Sequence, residues 1–154
     1  MYRVPVQIRE ATAEDVSALA LLRWRSERPG DGDLDRAAFE RGFSDWWSQH
    51  GGHFRAVVAM DGGEAVGMGF LALVNRVPMP GDLDRVHGDI QSMYVAEPHR
   101  GSGVGSEIVR ILLDLARAAG CGRVEVHSGR RAVKFYERAW FEHFRQLMNH
   151  YLDH

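Results

Sequence analysis

A glycine-rich junction between a strand pattern and a long amphipathic helix constrains this chain more than any other stretch. Residues 90–95 have strand character, and glycines at every second position from Gly101 to Gly105 lead into a helical pattern that ends near Ala119. The first N–H groups of a helix have no intrahelical partner, and glycine removes the Cβ that would keep a ligand from the backbone. With Arg100 beside it, the junction predicts a phosphate site, and an ordinary flexible turn is the alternative.

The spacing of the glycines separates the classes of phosphate ligand. A dinucleotide fingerprint needs a third glycine where this chain has Ser106, and a P-loop needs a Gly-Lys pair, which the chain lacks. The pattern present is Arg100-x-x-Gly103-x-Gly105. This pattern resembles the pyrophosphate-binding motif of the GNAT acyltransferases, which bind acetyl-CoA or another acyl-CoA.

The bulk composition is that of a globular protein and excludes several classes. The 154 residues suit one domain, residues 1–154, with 45% hydrophobic and 26% charged residues. A net charge of -2 without a basic cluster predicts no nucleic-acid partner, and no apolar run is long enough to predict a membrane span. Cys121 is the single cysteine, so no internal disulfide is expected. Charged residues interrupt any leader-like run at the N-terminus, and we expect a cytoplasmic protein.

Hydrophobic periodicity and turn residues predict the other elements of the chain. Strands are predicted at 4–9, 54–60, 64–77, 87–95, 123–127 and 144–151. Helices are predicted from Thr12 to about Arg28, at 34–49, from the glycine junction to Ala119, and at 130–139. Gly67 and Gly69 inside the third strand predict a bulge or a close approach of another element.

A second segment near the C-terminus is also similar to the GNAT family. Ala132-x-x-Phe135-Tyr136, followed by Phe141, matches the family's Ala-x-x-Phe-Tyr-x-x-x-Gly-Phe segment except that Trp140 replaces its glycine. Gly129 stands where the family often has asparagine, and Pro98 lies one place later than in the commonest form. The resemblance covers nearly the whole chain. It implies an α/β (α+β) GNAT fold with a mixed central sheet flanked by helices, in the order β-α-α-β-β-β-α-β-α-β.

The resemblance implies direct transfer of an acyl group from CoA to an amine. We expect acetyl-CoA as co-substrate and a small-molecule primary amine as acceptor. A protein N-terminus or lysine is the alternative within the same class. Two further alternatives are a non-catalytic acyl-CoA-binding domain and a nucleotide-binding domain of another family.

The resemblance also assigns roles to residues. Tyr136 would protonate the departing thiolate, Asp89 or else His127 would accept the amine proton, and a backbone N–H near Tyr94 or Val95 would stabilise the thioester oxygen. The N–H groups of residues 101–106 would hold the pyrophosphate. The full set of expected cofactor-binding residues is Met93, Tyr94, Val95, Arg100, Gly101, Ser102, Gly103, Val104, Gly105, Ser106, Phe135 and Tyr136.

The acceptor pocket is the least constrained part of the site. Phe39, Phe43 and Trp46 share a helical stripe and are expected in the core, whereas Trp47 lies off that stripe and is a candidate for the acceptor pocket with Asn75 and Arg76. No metal is expected, because the closest histidine pair, His50 and His53, is separated by two glycines. The sequence leaves room for a homodimer through the C-terminal strand or exposed aromatic residues.

Overall fold

The computed structural model describes residues 5–27 and 35–152. The strands are β1 (Gln7–Glu10), β2 (Phe54–Asp61), β3 (Glu64–Asn75), β4 (Val86–Val95) and β5 (Cys121–Val126). The helices are α1 (Val16–Glu27), α2 (Arg36–His50), α3 (Val104–Ala118) and α4 (Val133–Arg138). Three predicted boundaries lie outside the described residues: the end of the first helix at Arg28, the start of the second helix at Leu34, and the start of the first strand at Val4. Among the described helices, none is both long and apolar enough to cross a membrane.

The five strands form one mixed sheet in the order β1-β2-β3-β4-β5. Neighbours from β1 to β4 are antiparallel, and β4 and β5 are parallel. Parallel neighbours need a crossover, and α3 supplies it between β4 and β5. The predicted mixed sheet with flanking helices is therefore confirmed.

Helices cover both faces of the sheet and define two hydrophobic clusters. On one face, α3 packs through Val104, Ile108 and Leu112 against β2 and β3. On the other face, α1 packs through Leu19 and Leu22 against Met68 and Phe70 of β3. Burial of these apolar side chains is the main favourable contribution to folding.

The glycines of β3 lie where α3 crosses the strand. A Cβ at Gly69 would come within 2.5 Å of the Met93 sulfur and 2.8 Å of Ile108 Cγ2. The register between β3 and β4 also shifts at this point, between Met68 and Phe70. The predicted close approach is therefore confirmed. The predicted bulge in β3 is confirmed at Gly67, because β3 carries one residue more than β2 between Ala65 and Gly67.

The aromatic residues of α2 pack differently from the prediction. Trp47 continues the row that Phe43 occupies and contacts Phe70, with ring centroids 5.8 Å apart. Trp46 is 42% exposed and stacks on His50. The assignment of Trp46 to the core and of Trp47 to a position off the stripe was wrong, because the partly buried row advances by four residues from Phe43 rather than by three.

The predicted final strand, Phe144–Tyr151, is wrong within the described residues. The chain after α4 forms a turn in which the Leu147 N–H donates to the Phe144 carbonyl, and it makes no ladder with β5. The Phe144 ring lies 5.5 Å from the Arg123 guanidinium. Large apolar side chains stay exposed here: Trp140, Phe144, Leu147, Met148, Tyr151 and Leu152.

Candidate active site

A bulge in β4 shifts, by one residue, the alternation of side chains between the two faces of the sheet. Met68 of β3 pairs with Tyr94 and Phe70 pairs with Gln91, so β4 carries one residue more than its partner at this point. Ser92 takes a φ of 55°, a left-handed conformation that is uncommon for serine. Before the bulge, Ile90 faces α3; after it, Met93 faces α3, whereas Tyr94 faces α1 and α2. Bulges of this kind redirect side chains beside functional sites.

Beyond the bulge, β4 and β5 separate. The parallel pairing ends at Ile90 and Val126, although β4 continues to Val95. Residues 91–95 therefore have no strand partner on the β5 side within the part of the chain described here. The gap opens into a cleft of about 820 Å³, which is walled by the end of β4, the glycine loop, the segment after β5, and α4.

The glycine loop forms one end of this cleft. Gly101 and Gly103 have φ of 76° and 88°, which a residue with a Cβ would adopt only under strain. Gly103 is the N-cap of α3, and no side chain caps this end. The first intrahelical bond is donated by Glu107 to the Gly103 carbonyl, so the N–H groups of the preceding turn are left for a ligand.

Arg100 lies across the mouth of the loop. Its Nε donates to the Val95 carbonyl at 2.7 Å, and its guanidinium lies 5.8 Å from the centre of the Tyr94 ring. These contacts position a permanent positive charge beside the exposed amides. The residues present therefore fit a pyrophosphate, which needs N–H donors and a cation together.

A histidine on the loop, which sequence reasoning missed, ties it to the β2–β3 hairpin. His99 Nε2 lies 2.8 Å from a carboxylate oxygen of Asp61, and Ser102 Oγ donates to the His99 carbonyl at 2.5 Å. The other ring nitrogen of His99 is buried without a partner among the described residues. The two residues are 38 positions apart, so no local sequence pattern predicts this contact.

Tyr136 forms part of the wall opposite the strands. Its ring is held edge-on by Phe135 and Phe141, with centroids 5.0 and 5.5 Å away. The residue is only 6% exposed, and burial raises the pKa of its phenol above the usual value. Its hydroxyl makes no hydrogen bond to the residues that the structure describes, and Tyr136 lines the cleft. A protonated phenol in the wall of a ligand cleft is suited to donate a proton.

The structure brings most of the predicted cofactor residues together. Met93, Tyr94, Val95, Arg100, the three glycines, Ser106, Phe135 and Tyr136 all line the cleft. Ser102 and Val104 do not line it: Ser102 binds the His99 carbonyl, and the Val104 side chain is buried in the α3 core. Gly105 lies under α4, since a Cβ there would be 3.3 Å from the Phe135 ring.

The two candidate bases occupy different places. His127 follows β5 and lines the cleft. Asp89 lies on β4 before the bulge, where its carboxylate accepts a hydrogen bond of 2.8 Å from the Gln91 amide. Asp89 pairs in register with Glu125 of β5, so two acidic residues are adjacent on the sheet. Glu125 is in turn bound by Arg123 at 2.8 Å.

The three candidate acceptor residues are not gathered around the cleft. Asn75 pairs with Val86 at the start of β4, at the opposite end of the strand from the glycine loop, and Arg76 follows it. At about 3.3 Å per residue, that end is roughly 30 Å of strand away. Trp47 packs in the second hydrophobic cluster.

His87 lies at the end of the sheet beside Asn75, where several arginines surround it. Burial lowers the pKa of His87, and the guanidinium groups of Arg123 and Arg76 lower it further. The imidazole is therefore neutral near pH 7. Across the described residues, no group of three or more potential metal ligands is found.

Comparison with known proteins agrees with this geometry. The chain is 30% identical over 144 residues to the aminoalkylphosphonate N-acetyltransferase of Salmonella typhimurium, a match that spans 90% of this chain and 88% of that protein. It is 33% identical over 64 residues to the glucosamine 6-phosphate N-acetyltransferase of Trypanosoma brucei brucei, which covers 41% of this chain and only 44% of that enzyme.

Solved structures show the same fold. A predicted acetyltransferase from Clostridium acetobutylicum, solved with acetyl-CoA, superposes with a TM-score of 0.79 over 96% of each chain, at 14% identity. The sequence model of the acetyltransferase (GNAT) family matches residues 18–141, a range that includes the bulged strand, the glycine loop and Tyr136. On this match and the Salmonella relative, the chain belongs to the acetyltransferase (GNAT) family, whose members are acetyl-CoA-dependent enzymes.

Proposed function

We propose that this protein transfers the acetyl group of acetyl-CoA to the primary amine of a small molecule, by direct attack within a ternary complex. The observation that carries the proposal is the cleft between the separated ends of β4 and β5, with the glycine loop at one end and Tyr136 in its wall. The two named relatives act on small molecules, an aminoalkylphosphonate and glucosamine 6-phosphate.

The cleft residues would hold the co-substrate in place. The N–H groups of residues 103–106 and the Arg100 guanidinium would bind the pyrophosphate. The unpaired edge of residues 91–95 would accept the pantetheine arm through backbone hydrogen bonds. Fixing both partners beside each other turns a bimolecular reaction into an effectively unimolecular one.

A backbone amide of β4 would face the thioester oxygen. The Ala96 N–H donates to the Val66 carbonyl of β3, and the Val95 carbonyl accepts from Arg100 on the cleft side. Successive residues of a strand direct their backbone groups to opposite neighbours. The Val95 N–H is therefore the donor that we assign to the oxygen.

Two proton transfers complete the reaction. Bound acetyl-CoA supplies a thioester whose acyl carbon the free amine attacks. Asp89, through a water molecule, or His127 would accept the proton that the amine loses, and Tyr136 would donate one to the departing sulfur. The products are an amide and a thiol, so protons balance without any other reactant.

Ligand binding and turnover test the proposal separately. Thermal unfolding with acetyl-CoA, CoA, NAD and ATP should show stabilisation by the two CoA compounds alone, by ~2.7 kcal/mol at a hundredfold excess over Kd. Thiol release should then be measured with aminoalkylphosphonates, glucosamine 6-phosphate, and peptides bearing a free N-terminus or lysine. Turnover with peptides alone would mean that the acceptor is a protein amine and not a small molecule. CoA binding without any turnover would favour a non-catalytic acyl-CoA-binding domain.

A further inference from the structure

The cleft is more basic than the rest of the molecule. The whole chain carries 21 acidic and 19 basic residues, for a net charge of -2. Among the described residues that line the cleft there are three arginines and no aspartate or glutamate. A concave surface of one charge sign concentrates ligands of the opposite sign.

Two of these arginines, Arg131 and Arg138, come from the α4 side rather than from the glycine loop. Arg131 lies in the short turn Arg130–Ala132 that leads into α4, and Arg138 ends the helix. Their spacing about Phe135, four residues before it and three after it, puts all three side chains on one side of the segment. Phe135 packs against Gly105, so this side is the one turned towards the loop.

Neither arginine has a polar side-chain partner in the part of the chain that the structure describes. Arg131 and Arg138 make no ion pair and no side-chain hydrogen bond there, although most other described arginines do. Both are exposed at the rim of the cleft. Two guanidinium groups without such partners on one rim are available to bind an oxyanion through charged hydrogen bonds.

The phosphate groups of CoA indicate which oxyanion Arg131 and Arg138 bind. The pyrophosphate of CoA is matched by Arg100 and the exposed amides of the α3 N-terminus. CoA also carries a phosphate monoester on its ribose, with a charge of about -1.5 to -2 at neutral pH. We infer that Arg131 and Arg138 form a subsite for this 3′-phosphate and make the enzyme select CoA over its dephosphorylated form.

The inference rests on the proposed use of CoA, and 3′-dephospho-CoA is the probe that isolates the phosphate. Dissociation constants for CoA and 3′-dephospho-CoA are measured by calorimetry at one fixed ionic strength. The proteins are the wild type, Arg131→Gln, Arg138→Gln, the double variant, and Lys134→Gln. Lys134 is the matched control, because it is an exposed cation of α4 that does not line the cleft.

The wild type should bind CoA about 10- to 100-fold more tightly than 3′-dephospho-CoA, as expected for charged hydrogen bonds. The double variant should bring this ratio to within about threefold of one by weakening CoA binding alone, and each single variant should fall between. Lys134→Gln should keep the wild-type ratio. Equal weakening of both ligands by the arginine variants, or no discrimination by the wild type, would overturn the inference.

Failure of the proposed function gives a different result. If no amine is turned over but the ratio depends on Arg131 and Arg138, the subsite stands and only the proposed catalysis falls. If the wild type does not bind CoA at all, both fall together.

Discussion

The Tyr136 side chain is fixed at its ring and unpartnered at its hydroxyl. Phe135 and Phe141 pack edge-on against the ring, while the hydroxyl has no hydrogen-bond partner among the described residues. Because burial raises the pKa of the phenol, it stays protonated throughout the neutral range. Removal of the hydroxyl alone would therefore abolish proton donation and leave the packing of the ring unchanged.

Tyr136→Phe should lower kcat by ~10²–10⁴ and leave the dissociation constant of CoA nearly unchanged, since only the proton donor is removed. Steady-state kinetics and calorimetry measure the two quantities. Tyr151→Phe, which removes an exposed hydroxyl from the C-terminal tail, is the control and should behave as the wild type. An unaltered kcat for Tyr136→Phe would remove this residue from the mechanism.

Asp15 is the buried carboxylate of the α1 start, and its stability effect depends on pH. Arg9 donates to both of its oxygens, at 2.7 and 3.0 Å, and Thr12 N–H donates at 2.7 Å. These bonds, with the Arg9 contribution the largest, lower the pKa of Asp15 to about 2. The charged form is therefore favoured in the folded state. Its contribution to stability is fully present above the unfolded pKa of about 3.9 and is lost as pH falls through the folded pKa.

As pH falls from about 4 to 2, the wild type should lose roughly 2 kcal/mol of unfolding free energy through this one group. Asp15→Asn should lack that part of the pH dependence and be less stable at pH 7. Urea unfolding at several pH values measures both effects. Asp45→Asn, at an exposed site of α2, serves as control. A pH profile of Asp15→Asn that is parallel to the wild type would contradict the assignment.

At the scale of elements, two glycines should respond in opposite directions to the same substitution. Gly69 lies under α3, where an added Cβ meets Met93, Ile108 and Leu112. Gly42 lies in α2 with open space around it. Glycine costs a helix about 0.5–1 kcal/mol relative to alanine, whereas overfilling a packed contact costs about 1–3 kcal/mol.

Gly69→Ala should therefore lower the unfolding free energy by about 1–3 kcal/mol, and Gly42→Ala should raise it by about 0.5–1 kcal/mol. Chemical unfolding of the pair, with the wild type alongside, measures both signs in one experiment. Equal effects of the two substitutions would mean that the approach of α3 to β3 is looser than the contact distances indicate.

The elements that sequence predicted well are those with strong local signals. The glycine loop and α3 combine turn chemistry with helical periodicity, and the β2–β3 hairpin has Gly62 and Gly63 at its turn. The final strand failed because alternating apolar residues do not reveal whether a strand edge is there to pair with. The bulge at Ser92 was also invisible, since register depends on the partner strand.

The site was predictable only as far as the family motifs reach. Arg100, the glycines, Phe135 and Tyr136 meet in one cleft, as the resemblance implied. Asn75 and Arg76 were assigned from their position near a strand end, which carries no information on distance from the cleft. The pairing of His99 with Asp61 needs the folded chain, because residues 38 positions apart share no local pattern.

On the scale of the whole molecule, the C-terminal tail lies beside the free edge of β5 and exposes large apolar side chains. Trp140 is 93% exposed and Met148 86% exposed. A second copy of the chain would bring an equivalent tail and an equivalent free edge, so a two-fold contact would cover both. A homodimer therefore remains our prediction.

Light scattering after gel filtration should give a dimer mass for the wild type and a monomer mass for Trp140→Gln combined with Met148→Gln. Val77→Gln removes an equally exposed apolar side chain from the β3–β4 loop and should leave the mass unchanged. A wild-type protein that is monomeric over a wide concentration range would contradict the predicted homodimer.

Because β4 carries an extra residue, the length of this segment should be more strictly constrained than the identity of its side chains. Deleting the extra residue, Ser92, would let β4 pair continuously with β3 and would leave Met93 and Tyr94 on their present faces, because Gln91 already pairs with Phe70 and Tyr94 with Met68. The bend that a bulge gives its strand would be lost, and with it the separation of residues 91–95 from β5 that opens the cleft. In the evolution of this lineage, insertions and deletions should therefore accumulate in the loop at 76–85 and be purged from 91–95, whatever side chains those positions carry.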